Sequence, residues 1–579
     1  MSSQTTVAEY LFTRLKQLGV GAIHGVPGDY NLTLLDYVEP SGLTWVGNCN
    51  ELNAGYAADG YARIKGVGAL ITTFGVGELS AINAVAGAYA ERAAVVHIVG
   101  TPTRAAQDGR LLVHHTLNDG DYRRFGLMAC HVTVAQTRLV DPRTCAEQID
   151  EVLRQCVLHS RPVYIEVPVD LVAAPVSAER LATKIRIPAP IVTAESEAAM
   201  AKVLGKIGAA SRPVILVDGE SRALGIVDEV QELVKSTGWP TWTTTFGKGL
   251  VNETLSNMHG VYRGGFDSEF VKEFWSGADL VLVFGPHFSS TNSYGFSSIP
   301  KTEAAICFSD TEIRIGSEIF RDIPAQLAIS TVLKHFQSSK AASPYTTYPQ
   351  LPKDEIIPFS EVSRDGSITQ DKLWKLMAGF LQPGDIVFGE TGTAGYGVRD
   401  MLLPSHTRLW APITWLSIGY MLPACQGASL AQRELADVNE DNGVKEPRTI
   451  LFIGDGSFQM TAQELSTIIA HNLNVIIFLI NNNGYTIERC IHGLREKYNG
   501  VAPWRYLQAP SFFGAKEDVP TATAKSWGEL ENVLADEKIM NGKGLRMVEV
   551  FMDSEDVPTG VLSLMMEKEQ VRWKGTGRP

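Results

Sequence analysis

Short apolar runs recur along the chain, each closed by glycine or a polar turn and followed by a stretch with helical spacing. Near the start, Trp45 to Glu51 reads as an apolar strand ending in a carboxylate, and Asn53 to Lys65 as an alanine-rich helix. Leu70 to Phe74 predicts a strand closed by Gly75-Val76-Gly77, and Val95 to Val99 another. Strand–helix alternation of this kind implies a parallel sheet covered on both faces. The middle of the chain repeats the theme with strands at Val214–Asp218 and Leu280–Phe284 and a helix at Ile226–Thr237. Pro-containing stretches at Ser177–Glu197 and Ser339–Gly366 predict linkers. The expected fold class is therefore α/β, with three doubly wound parallel-sheet domains over residues 1–185, 198–340 and 365–579. The polar run Asp437–Glu446 predicts a surface loop.

One unit of the last domain carries chemistry. Thr449–Ile453 is a strand, Gln459–His471 has helical spacing with Leu465, Ile468 and Ile469 on one face, and Val475–Ile480 is a second strand. Gly454-Asp455-Gly456-Ser457 closes the first strand and Asn481-Asn482-Asn483-Gly484 the second. The β-turn-α-β order puts Asp455 and Asn482 at the carboxyl ends of neighbouring strands, the edge where such sheets bind ligands. A carboxylate and an amide carbonyl are hard oxygen ligands suited to Mg²⁺, whose other ligands would come from a diphosphate and water. Glycines let the backbone approach phosphates, and a helix N-terminus favours their charge. Twenty-four residues (457 to 480) separate Gly456 from Asn481, a spacing that matches the thiamine diphosphate motif. In the first third, Gly25-Val26-Pro27-Gly28-Asp29 follows a short strand, and Glu51 at a strand end beside an apolar pocket is expected to have a raised pKa.

Composition narrows the field. A chain of 579 residues exceeds one domain, and 45% hydrophobic against 20% charged residues can fill several cores. A net charge of −13 disfavours nucleic acid and anionic membranes as partners. No apolar run approaches the ~20 residues of a membrane span. Met1–Leu11 has no secretory pattern, and Gly577-Arg578-Pro579 is no peroxisomal address. Seven scattered cysteines without a CxxC predict reduced thiols and a cytoplasmic protein.

Taken together, HGVPGDYNL (24–32), NELNAGYAADGYAR (50–63), TTFGVGELSA (72–81), LLVHHTLNDGDY (111–122), ETGT (390–393), SIG (417–419), GDGS (454–457) and NNNGYTIE (481–488) resemble the fungal pyruvate decarboxylases. These are thiamine diphosphate-dependent 2-oxo acid decarboxylases, and the likeness is collinear over most of the chain. The His114-His115 pair with Asp29 and Glu488 is more specific than the cofactor motif, because related acetolactate synthases share GDG…NN without that pair.

The resemblance implies pyrimidine-binding, middle and diphosphate-binding domains. It implies Asp455, Asn482 and the Gly484 carbonyl on Mg²⁺, with Gly454, Gly456 and Ser457 around the diphosphate. Ile418 would prop the bent cofactor, Thr393 and the Leu416 carbonyl would contact its pyrimidine, and Glu51 would reach it from a partner subunit. Asp29, His114, His115 and Glu488 would manage protons. Two adjacent histidines are expected to point apart and play separate roles rather than to chelate a metal. His24, His97, His471 and His492 are expected to be structural. The implied reaction is decarboxylation of a 2-oxo acid, pyruvate foremost, through the cofactor ylid and an enamine. The implied assembly is a homodimer at least, and a homotetramer by family likeness. The alternatives are a phenylpyruvate or indolepyruvate decarboxylase, an acetolactate synthase-type carboligase, and a non-catalytic scaffold.

Departures from the family pattern also carry expectations. Yeast-type enzymes have a regulatory cysteine after the strand that is Val214–Asp218 here, where this chain reads Gly219-Glu220-Ser221-Arg222, and a histidine where this chain has Arg92. Leu416 stands where relatives often carry Gly. Thr291 and Gly395 stand where pyruvate-specific relatives have larger residues, so with Ile487 and Ile491 they are expected to line a roomier substrate pocket.

Overall fold

The computed structural model describes residues 4–339, 345, 348–438, 448–516 and 519–575. The expected loop at Asp437–Glu446 lies mostly outside the described residues, as do Met1 to Ser3, part of the second linker, and the last four residues. Three sheets organise the chain. The first has six parallel strands in the order Thr44–Gly47, Ala22–Gly25, Gly68–Thr73, Val95–Thr101, Val163–Pro168 and Ala135–Arg138. The last has six more, in the order Arg408–Trp410, Ile386–Gly389, Thr449–Gly454, Val475–Asn481, Arg546–Phe551 and Thr521–Ala524. Their central strands are buried along nearly their whole length, which is why they read as apolar runs rather than as alternating ones.

The middle sheet departs from purely parallel winding. Five parallel strands, among them Pro213–Val217 and Leu280–Phe284, are extended by Glu312–Ile315, antiparallel to them, and then by Glu318–Arg321, antiparallel to that strand in turn. The three residues between Phe308 and Glu312 are too few for a crossover, so the chain turns back on itself. A further antiparallel pair joins Gln4–Thr6 to Pro175–Ser177 and ties the start of the chain to the end of its first unit.

Local chemistry moves some boundaries. The first linker stops at Thr193, whose hydroxyl accepts from Ser196 N–H and caps the helix Ala194–Ala209. Glu51 is not the end of a strand. It opens the helix Glu51–Lys65, with Asn50 as its cap, because an acidic residue suits a first helical turn. The expected helix after the GDGS turn starts earlier, at Asp455, and runs to Thr461. A 3₁₀ turn at Ala462–Glu464 and a short helix Leu465–Ala470 follow. At that break the buried Glu464 accepts from Asn48 at 2.7 Å and Asn53 at 2.9 Å, tying the last unit to the first.

The tightest contact between the outer units is a helix crossing. Glu51–Lys65 packs on Met421–Val438 through facing glycines. A Cβ on Gly60 would collide with the Ala424 carbonyl, and one on Gly427 with the Ala57 carbonyl. Gly427→Ala should therefore cost about 1–3 kcal/mol or more, because backbone cannot give way as a side chain can. Gly205→Ala, in an exposed helical position where a Cβ meets nothing within 4 Å, is the control and should not destabilise. Thermal unfolding of the two variants checks this.

A polar network also joins the units. Arg92 pairs with Glu220 at 3.2 Å and Asp310 at 3.0 Å, and Glu91 accepts from the backbone of Ile413 and Thr414 at 2.8 and 2.9 Å.

Candidate active site

Gly454 pairs with Ile480 across parallel strands, so Asp455 and Asn482 emerge side by side. Asp455 is buried, its Oδ1 accepting from Gly456 N–H at 2.8 Å and its Oδ2 from Gly484 N–H at 3.0 Å. Burial pushes its pKa up to about 6 despite those donors. One terminal atom of the Asn482 amide stands 3.2 Å from Asp455 Oδ1 and 2.9 Å from the Gly484 carbonyl, while the other lies 2.9 Å from Thr486 Oγ1. The Thr486 hydroxyl gives its one proton to the Ser554 carbonyl at 2.9 Å, so it can accept from the Asn482 amide nitrogen. The amide oxygen then faces two other oxygens. Three converging oxygens, one of them anionic and buried, form a donor set for a hard dication. Gly484, at φ 130, has no room for a side chain beside the Asn499 carbonyl.

These residues border a cavity of about 370 Å³. It takes in Gly454, Asp455, Gly456, Ser457, Asn482, Gly484, Thr393, Ile418, Ile487 and Glu488, as the motifs predicted. Thr391, Gly392, Ala394, Met460, Tyr485 and Thr486 also line it and were not singled out, although the ETGT and NNNGYTIE segments contain most of them. Leu416 does not line the cavity. It holds a left-handed backbone, φ 54, a conformation in which glycine is free of strain. Thr291, Gly395 and Ile491 are also not among the lining residues. Gly395 sits in the helix Thr393–Gly397, where a Cβ would point at the Glu390 carbonyl, 2.9 Å away, and not into the cavity. The expected enlargement at Thr291 and Gly395 therefore finds no support in this geometry.

Sequence reasoning gave no role to Glu390. Its fully buried carboxyl accepts from Thr391 N–H at 2.7 Å and Met421 N–H at 2.8 Å, holding the ETGT turn against the segment that carries Ile418. Burial pushes its pKa up to about 7.

A second cluster gathers in the first unit. His114 Nε2 hydrogen-bonds Asp29 Oδ2, and the His114 ring stacks on Tyr30 with centroids 4.9 Å apart. The expectation that the two histidines point apart fails. His115, at φ 67, turns its ring edge-on to His114 at 4.7 Å, and the ligand atoms of Asp29, His114 and His115 all lie within 4.8 Å of one another. The left-handed backbone at His115 folds the two rings back together. Glu51 is half-buried, and burial raises its pKa. None of these four residues lines the 370 Å³ cavity. Within one chain, the cavity and the histidine cluster have no lining residue in common.

Below the second cluster, Glu78 and Glu166 are buried together and share the Tyr164 hydroxyl, at 2.6 and 3.4 Å. Burial raises their pKa values from 4.5 to about 8 and about 7. A group that holds its proton more tightly when folded contributes stability that is lost as pH rises. The buried His24 and His97, lowered by burial to about 3, work the other way, but only below their ordinary value of 6.5. Between about pH 6.5 and 8 these acids, and Glu390 with them, titrate unopposed by the two histidines, so cofactor-free protein should lose stability there, by at most about 1.4 kcal/mol per pH unit for each group. Melting temperatures across that range check the sign, and Glu78→Gln should flatten the slope.

Residues 5–122, 200–336 and 392–550 match, in turn, the thiamine pyrophosphate enzyme N-terminal TPP binding domain, the central domain and the C-terminal TPP binding domain. A pyruvate decarboxylase of Aspergillus parasiticus is 55% identical over 565 residues, covering 96% of each chain. Pyruvate decarboxylase isozyme 1 of Saccharomyces cerevisiae is 37% identical, covering 97% of this chain and 98% of its own. Among solved structures, the thiamine diphosphate-dependent 4-hydroxybenzoylformate decarboxylase of Rhodococcus jostii RHA1 superposes with a TM-score of 0.74 at 18% identity. It covers 95% of this chain and 99% of its own, a likeness of fold. With converging oxygens at a glycine-lined cavity and all three family segments in order, the chain belongs to the pyruvate decarboxylase family of thiamine diphosphate-dependent enzymes.

Proposed function

We propose that this protein converts pyruvate to acetaldehyde and CO₂, with thiamine diphosphate anchored through Mg²⁺. The observation that carries this reading is the pairing of an oxygen-lined cavity with a separate Asp29–His114–His115 cluster. The curated relatives described above are named pyruvate decarboxylases. Asp455, Asn482 and the Gly484 carbonyl would hold the metal, while Thr393, Ile418 and Ser457 border the space for the organic part. When bound, the cofactor supplies a nucleophilic carbon and a sink for the electrons that CO₂ leaves behind. Aldehyde release replaces a carboxylate with a proton, and this chain must deliver it. Asp29 and His114 share a hydrogen bond along which a proton can move, His115 stands beside them, and Glu488 lies at the cavity. Glu51, with its raised pKa, can hold a proton at its carboxyl.

Neither the histidine cluster nor Glu51 lines the cavity of the same chain, so the reading takes them as two half-sites and includes a homodimer with sites completed between subunits, assembled further into a tetramer. Exposed Val76, Leu111, Leu112, Trp415 and Met460 near the two halves suit a covered apolar face. The cytoplasm is the proposed location, in keeping with seven free cysteines. No helix among the described residues is long and apolar enough to cross a membrane.

The test is product analysis with pyruvate, phenylpyruvate and indolepyruvate. Cofactor-dependent acetaldehyde and CO₂, with the highest kcat/KM on pyruvate, is the expected result. Acetolactate as the main product, or no CO₂ from any 2-oxo acid, would overturn the proposal.

A further inference from the structure

Glu78 reaches the backbone that backs both catalytic groups of the first unit. Its Oε1 accepts from Gly75 N–H at 2.8 Å, and its Oε2 accepts from the Tyr164 hydroxyl at 2.6 Å. Gly75 sits at φ 70, and a Cβ there would collide with the His115 carbonyl, so the two backbones lie in contact. Two residues on, a Cβ on Gly77 would stand 3.0 Å from Glu51 Oε1. The segment Gly75-Val76-Gly77 is thus the shared floor under His115 on one side and Glu51 on the other. Two glycines in three residues make that floor loose by themselves, because glycine pays the largest entropy for being held in one conformation.

A capping glutamate alone needs no such setting. Caps of this type work on the surface, whereas Glu78 is 4% exposed and buried beside a second carboxyl, Glu166. Burying carboxyl groups together opposes folding unless their hydrogen bonds are met, so the arrangement is a costly way to end a helix. Around Glu78 stand Tyr164 and Glu166 from one strand, with Arg138 3.8 Å beyond Glu166 and the His97 ring 5.6 Å from Tyr164.

We propose that Glu78 is a positioning residue for the reaction: its carboxyl clamps the Gly75 amide and so fixes the floor that sets His115 and Glu51 in place. This rests on the reading of His115 and Glu51 as catalytic residues.

The experiment compares Glu78→Gln, which keeps an acceptor for Gly75, with Glu78→Met, which keeps the volume and removes the acceptor. In cofactor-free protein, amide exchange of the peptide spanning 74–79 should quicken about tenfold or more in the Met variant and stay near wild type in the Gln variant. In the loaded enzyme, the Met variant should lose about 10–100-fold in kcat, with KM for pyruvate nearly unchanged, since small misplacements of catalytic groups cost that much. The Gln variant should keep most of its kcat. Wild-type kcat in the Met variant, or equal damage in both, overturns the proposal. Should the Met variant fail to fold, Gly77→Ala decides. Its Cβ crowds Glu51 Oε1 and the Thr73 methyl and should depress kcat without loosening Gly75, and an unchanged kcat sinks the idea. Glu51→Gln and His115→Phe serve as references. If both stay active, the site reading fails and the proposal with it. If both are inactive while Glu78→Met is active, the proposal alone fails.

Discussion

Asp455→Ala should give a folded protein that retains no thiamine diphosphate. The substitution removes the only charged oxygen of the converging set, leaving an amide and a carbonyl that bind a dication weakly. It also strands the Gly456 and Gly484 amides that the carboxylate now accepts from, so the turn loses its shape together with its charge. Loss of a supporting group around a metal costs about 10–100-fold in affinity, and losing a direct ligand should exceed that. Stability of the cofactor-free protein should change little, because removing a buried carboxylate that has no cation offsets the cost of the stranded amides. Asp455→Asn keeps the shape without the charge and separates the two contributions. Bound cofactor after gel filtration, with circular dichroism as the fold check, is the measurement. Normal retention in the Ala variant would remove Asp455 from the metal site.

Mixing two inactive variants should restore activity. Glu51→Gln alone should lose about 10²–10⁴-fold in turnover, the usual worth of a positioned acid or base. Asp455→Ala alone should be inactive for want of cofactor. If each site takes Glu51 from one subunit and the cavity from the other, a mixed dimer holds one site with both lesions and one with neither. Activity should then approach half that of wild type in the mixed species. Native mass spectrometry confirms exchange, and mixed dimers that stay inactive would place both halves of each site in a single chain.

The sequence made the strand–helix alternation plain because buried parallel strands are apolar end to end. The cavity at the glycine turns was legible for a related reason: Asp455 and Asn482 follow directly from two strand ends. The second cluster was harder to read. That His114 and His115 stand ring against ring depends on a positive φ at His115, which no local pattern announces in a non-glycine residue. Gly395 misled for the opposite reason. A small residue suggests space, but here the space is filled by the Glu390 carbonyl. Glu390 and Glu78 carry no periodic signal, and their value lies in backbone amides far from them or behind a glycine turn. The antiparallel tail of the middle sheet was hidden because a tight connection, rather than strand composition, sets direction.

The glycine-faced crossing of Glu51–Lys65 with Met421–Val438 bears on how this chain can be recombined. Neither helix can be exchanged alone, since the relief of one is cut to the other at backbone level. Chimaeras that swap only the first unit, or only the last, with those of a distant relative should assemble poorly even when every active-site residue is retained. Swapping both together around a foreign middle unit leaves the crossing intact. The interchangeable module of this enzyme is then the discontinuous pair of outer units, and crossover points belong in the two linkers that bound the centre.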